Sequence, residues 1–198
     1  MSELFKPMND PRLYAVSRHS GYARSVARGI RALCRPRDPA WGGRALPSED
    51  ECRAFVVRAF SSLACPGEVV TWVPGHDGSN GPGHFVAQWL GGLWRLPVRE
   101  LFSRSVPLPS AHDCSVRPTL LEQVASLAVL GDCIPLKARV VVVDNVVASG
   151  SSMLGCLAVA ERHAIRVSAL ACVTVDMSKY LPYLVGGRRH KPLPVWLA

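Results

Sequence analysis

Four consecutive valines, Val140 to Val143, are followed at once by an acid, Asp144. Successive side chains of a strand point to opposite faces, so a half-exposed strand alternates apolar and polar residues. An unbroken apolar run needs cover on both faces, the condition of a central strand in a parallel sheet. Arg139 to Val143 is therefore expected to be such a strand. Asp144 to Ser151 reads as a loop, Ser152 to His163 as a helix, and Val167 to Val175 as the next strand.

The rest of the chain repeats this alternation. Ser48 with Glu51 forms a capping box that opens a helix through about Leu63, ended by Pro66 and Gly67. Val69 to Val73 reads as a buried strand, Pro74 to Gly83 as a Gly-rich loop and Phe85 to Leu93 as a helix. Pro97 to Phe102 reads as a second strand and Leu120 to Val129 as a helix. Between them, Ser103 to Pro118 is polar, carries three prolines and reads as a loop. Strands alternating with helices predict an α/β fold, a mainly parallel sheet flanked by helices. The length, 198 residues, suits one such domain. Residues 48–198 are expected to form it. Residues 1–47 form a basic segment packing on or capping it. Eight arginines lie between Arg12 and Arg44 against one acid, Asp38. Arg24, Arg28, Arg31 and Arg35 would share one face of a helix from about Gly21 to Cys34.

Several function classes are disfavoured. No apolar run approaches the roughly 20 residues that span a bilayer, so no membrane partner is expected. Met1 to Arg12 is polar and lacks an apolar signal region. The seven cysteines contain no C-x-x-C pair, which points to a reducing, cytoplasmic location and away from a thiolate metal site. No histidine has a partner at metal spacing. Neither a G-x-S-x-G elbow nor a G-x-x-x-x-G-K-[ST] loop occurs, which argues against a serine hydrolase and a P-loop NTPase. The net charge of +8 favours phosphorylated or polyanionic partners. Nucleic acid ranks below a small phosphorylated ligand, because no tryptophan interleaves with the arginine face. Self-association is left open.

The valine run ends where open α/β sheets bind ligands, at the carboxyl edge of a strand. Ala148, Ser149, Gly150, Ser151 and Ser152 then form a turn of small residues before a helix. Backbone N–H groups in such a turn can approach an anion closely, three hydroxyls add donors, and the helix N-terminus adds partial positive charge. Asp144 repels phosphate but accepts hydrogen bonds from sugar hydroxyls. Together these residues describe a site for a phosphorylated sugar.

The segment Val140 to Ser152 resembles the 5-phosphoribosyl-1-pyrophosphate motif of type I phosphoribosyltransferases, with Asn145 in place of the motif's second acid. The order of elements between residues 69 and 176 also resembles the competence protein ComF group. The resemblance implies that Asp144 and Asn145 are the catalytic pair contacting the ribose hydroxyls, and that residues 148–152 hold the 5-phosphate. It makes Gly75, His76, Asp77, Gly78 and Ser79 the pyrophosphate loop and places Arg104 on a mobile loop that closes over the site. That pyrophosphate loop contains no Lys or Arg. The 6-oxopurine enzymes of the family carry an acid where this chain has Ala148, which argues against hypoxanthine or guanine as acceptor. The implied reaction is phosphoribosyl transfer to a nitrogen nucleophile with release of pyrophosphate, with magnesium carried by the substrate phosphates. The alternative is a non-catalytic phosphoribosyl-ligand sensor or a ComF-like nucleic-acid-handling accessory.

Overall fold

The computed structural model describes residues 12–17, 21–34, 45–64, 67–109, 118–130, 138–148, 150–175, 184–185, 188–189 and 195–197. The valine run forms β5, Arg139–Val147. On one side it pairs in parallel with β2, Val69–Trp72 (Val69 beside Val140, Trp72 beside Val143). On the other it pairs in parallel with β6, Arg166–Val175. Next to β6 stands β1, Arg12–Ser17, and then β9, Val195–Leu197, again in parallel. The order of the five-stranded sheet is β2-β5-β6-β1-β9. This is the mainly parallel, helix-flanked α/β architecture expected from the sequence.

Both faces of β5 are buried, as its composition requires. Val140 and Val142 pack with Met153, Leu154, Val159 and Leu170. These belong to β6 and to α5, Ser151–Arg162. Val141 and Val143 face the opposite way, into Val26, Ile30, Val56, Phe60, Val86 and Leu90. Those side chains come from α1 (Gly21–Cys34), α2 (Glu49–Phe60) and α3 (Gly81–Trp94). The Ser48–Glu51 capping box is present at the start of α2. Burying a valine contributes roughly 1.5–3 kcal/mol, so this run anchors the domain.

Several boundaries differ from the sequence reading. β5 continues through Asp144, Asn145, Val146 and Val147, where a loop was expected, because β6 supplies ladder partners out to Val175. No strand forms over Pro97 to Phe102; a single bridge joins Val98 to Val70, and β3 is Phe102–Arg104. The helix expected over Leu120 to Val129 stops at Ser126 as α4, Leu120–Ser126. Leu127–Val129 becomes β4, antiparallel to β3. The periodicity of that short apolar stretch is ambiguous, and pairing with β3 decides it. The two-residue strands β7 (Leu184–Val185) and β8 (Arg188–Arg189) also pair antiparallel.

The basic N-terminal segment contributes β1 to the sheet and α1 to the core. On α1, Ala23, Val26, Ala27 and Ile30 are buried while Arg24 and Arg28 are exposed. Arg35 lies outside the described residues.

Candidate functional site

Asp144 lies three residues before the end of β5, on the face that carries Val140 and Val142. It is half-buried beside Cys172, its register partner on β6. Burial pushes its carboxyl up to about 7, although the backbone N–H groups of Asn145 and Val146 partly offset this. The Asn145 N–H donates to Oδ1 at 2.7 Å. A carboxyl so placed gains from any ligand that brings hydroxyl donors or a cation.

Asn145 faces the other way, as the two-residue period of a strand demands. It is buried, and its Nδ2 donates to the Ala27 carbonyl of α1 at 3.4 Å. The two residues matched to the motif's acids are therefore split across the sheet. Asp144 faces the α4–α5 side, and Asn145 ties α1 to β5.

The turn after β5 is built as its composition suggests. Gly150 is the N-cap of α5 with φ +82°, a left-handed conformation that glycine adopts without strain. Its carbonyl accepts the first helical bond from Leu154 N–H at 2.9 Å, and no side chain caps the helix. Ala148, Ser151 and Ser152 are half-buried around it. Ser149 lies outside the described residues.

The Gly75–Ser79 loop follows β2. Gly75 N–H donates to the Ser79 carbonyl at 2.8 Å, and Gly78 N–H to the Gly75 carbonyl at 3.1 Å. Asp77 Oδ1 accepts from the Ser79 hydroxyl at 2.6 Å and the Ser79 N–H at 3.1 Å. The Ser79 hydroxyl, foremost, holds the Asp77 carboxyl down at about 2. Asp77 is thus an ionised turn-former. A Cβ on Gly75 would sit 2.8 Å from Ser79 Oγ and 2.9 Å from Asp77 Oδ1, so a side chain there would push against the Asp77–Ser79 pair. The carbonyl of His76 accepts from Leu108 N–H at 2.8 Å.

This loop and Asp144 meet at the same sheet edge. A Cβ on Gly83, in the first turn of α3, would lie 3.1 Å from the Val143 carbonyl and 3.4 Å from Asp144 Cα. The start of α3 therefore rests directly on β5. His84, one residue on, packs edge-to-face on Trp72 at 4.6 Å, and its ring nitrogen lies 3.2 Å from Gln88 Nε2. Burial lowers its pKa, so it is a neutral packing histidine.

The structure places Arg104 in a strand, where the resemblance implied a loop. Arg104 ends β3, and its guanidinium has three partners: Nε donates to the Gly75 carbonyl at 2.9 Å, one terminal nitrogen to Ser126 Oγ and the other to Gln123 Oε1 at 3.1 Å. The Gly75–Ser79 loop contains no Lys or Arg, yet the Arg104 side chain, 29 positions away, reaches it. Sequence reasoning missed this because a single arginine in a polar stretch carries no periodic signal.

Among the described residues, no three or more His, Cys, Asp or Glu side chains gather to hold a metal ion. No helix there is long and apolar enough to cross a membrane.

No family model matches the chain, and no curated protein does. Among solved structures, adenine phosphoribosyltransferase from Leishmania donovani is similar at 12% identity and TM-score 0.45, over 85% of this chain and 86% of that one. The Leishmania tarentolae enzyme gives 12% and 0.45, over 85% and 94%. The Trypanosoma brucei enzyme, solved with AMP, pyrophosphate and ribose-5-phosphate, gives 12% and 0.45, over 91% and 89%. At 12% identity and a TM-score of 0.45 the likeness carries no argument about chemistry, which stands on the chain's own residues.

Proposed function

We propose that the chain binds 5-phosphoribosyl-1-pyrophosphate and transfers its phosphoribosyl group to a nitrogen nucleophile, releasing pyrophosphate. The observation that carries this reading is one sheet edge. There the half-buried Asp144 carboxyl, the left-handed Gly150 turn into α5 and the start of α3 stand together. The Gly150 turn presents backbone donors suited to the 5-phosphate. Asp144 accepts hydrogen bonds from the ribose hydroxyls, and the Gly75–Ser79 loop meets the pyrophosphate. Displacement at the anomeric carbon develops positive charge on the sugar. Negative charge on Asp144 and exclusion of water then do more than a covalent nucleophile would.

Magnesium fits as a substrate-borne ion. It is commonly held by one or two carboxylates plus phosphate oxygens. Asp144 is the acid in place. Bound so, magnesium would neutralise phosphate charge and ease departure of pyrophosphate.

A second reading is favoured by one feature: Asn145 is engaged with α1 rather than with the site. A strand end that offers Asp144 without a second acid beside it fits a protein that binds the phosphoribosyl ligand without turning it over.

Two measurements test these readings together. Calorimetry with ribose 5-phosphate should show binding, and incubation of phosphoribosyl pyrophosphate with a panel of nitrogen bases should release pyrophosphate. Binding without release selects the second reading. No binding of either ligand refutes both.

A further inference from the structure

We propose that Arg104 is the positioning residue of the Gly75–Ser79 loop, clamping the loop backbone to α4 so that its turn is preformed for a pyrophosphate. This rests on the functional reading above and names how that site is held together. The clamp is visible in the hydrogen bonds. One guanidinium joins the Gly75 carbonyl, Ser126 Oγ and Gln123 Oε1, three groups from two separate elements. Both α4 acceptors are themselves buried. Ser126 also accepts through its carbonyl from the Ser105 N–H at 2.8 Å, which fastens β3 to the same point. The anchor is rigid: α4 packs on α5, and a Cβ on Gly155 would lie 3.0 Å from Gln123 Cβ.

Two consequences follow. The Gly75 carbonyl is drawn to Arg104, while the Gly75 N–H is turned back to the Ser79 carbonyl. The loop's internal bonds close its turn, and Arg104 fixes where that turn stands relative to α4. In addition, a planar guanidinium donates along several fixed directions at once, whereas an ammonium is a single point charge. Lysine at 104 would keep the charge and lose the clamp.

The test measures pyrophosphate and ribose 5-phosphate binding separately by calorimetry, in magnesium buffer, for the full chain and its Arg104→Gln, Arg104→Lys and Ser126→Ala variants. Arg104→Gln should weaken pyrophosphate binding at least tenfold and leave ribose 5-phosphate, held at residues 148–152, within twofold. Arg104→Lys should stay at least fivefold weaker for pyrophosphate. Ser126→Ala, which removes one arm of the clamp, should weaken pyrophosphate two- to fivefold, and it carries the test if the Arg104 variants fail to fold. Wild-type pyrophosphate affinity in Arg104→Lys would show that charge alone matters and overturn the clamp. Equal losses for both ligands would also overturn it, as would an unchanged Ser126→Ala. Wild-type protein that binds ribose 5-phosphate but no pyrophosphate refutes this inference while leaving the phosphate site standing. Binding of neither ligand refutes the functional reading itself.

Discussion

Replacing Asp144 by Asn should stabilise the ligand-free protein at neutral and alkaline pH while weakening its hold on the sugar phosphate. The Asp144 carboxyl is raised by burial from 3.8 to about 7. The folded state therefore binds this proton more tightly than the unfolded chain does. Its stabilising contribution is fully present below pH 3.8 and is lost progressively as pH rises to about 7. At 1.36 kcal/mol per pKa unit, the ceiling above pH 7 is about 4 kcal/mol. The side chain keeps some contact with solvent, which screens it, so roughly 2–3 kcal/mol is expected. Asparagine has no proton to lose. Its advantage over aspartate in urea unfolding should be clear at pH 8 and smaller by roughly 1–2 kcal/mol at pH 5. Ribose 5-phosphate affinity should fall by about 1.5–3 kcal/mol, the scale of a hydrogen bond to a charged group. A variant less stable than wild type at pH 8, or a stability difference independent of pH, would refute the burial argument. Unchanged affinity in a folded variant would refute the assignment of Asp144 to the ligand.

Gly150→Val should abolish ribose 5-phosphate binding and destabilise the fold by at least about 1–2 kcal/mol. The left-handed backbone at φ +82° resists a branched side chain, and wild-type binding by calorimetry would remove this turn from the phosphate site. Asn145→Ala should cost about 1 kcal/mol of stability through the lost bond to Ala27. Its ribose 5-phosphate affinity should stay within twofold, and a tenfold loss in a folded variant would return Asn145 to the ligand. Replacing Arg24, Arg28 and Arg31 together by Gln should leave any DNA or RNA association in gel shifts at two salt concentrations essentially unchanged. Tight binding that vanishes with the three arginines, with a salt slope lower by roughly 0.7–0.9 per lost phosphate contact, would instead make α1 a nucleic-acid face.

Much of this protein follows from residue order alone. Four adjacent valines suit a strand covered on both faces, so an interior place for β5, between β2 and β6, was legible without coordinates. The capping box at Ser48 and the Gly150 turn into α5 are equally local signals, because each depends on groups a few residues apart. Three features depended on the tertiary fold. β1 inserts beside β6 although its sequence carries little strand signal, since a parallel neighbour supplies its hydrogen bonds. Asn145 turns to α1 and away from Asp144 because β5 stays extended past the valines, and strand pleating then separates adjacent side chains. Arg104 reaches the Gly75 carbonyl because the β3–β4 pairing sets it there, a contact between residues 29 apart that no local pattern encodes. Local chemistry is written along the chain; which side chains share a site is decided by pairing and packing between distant segments.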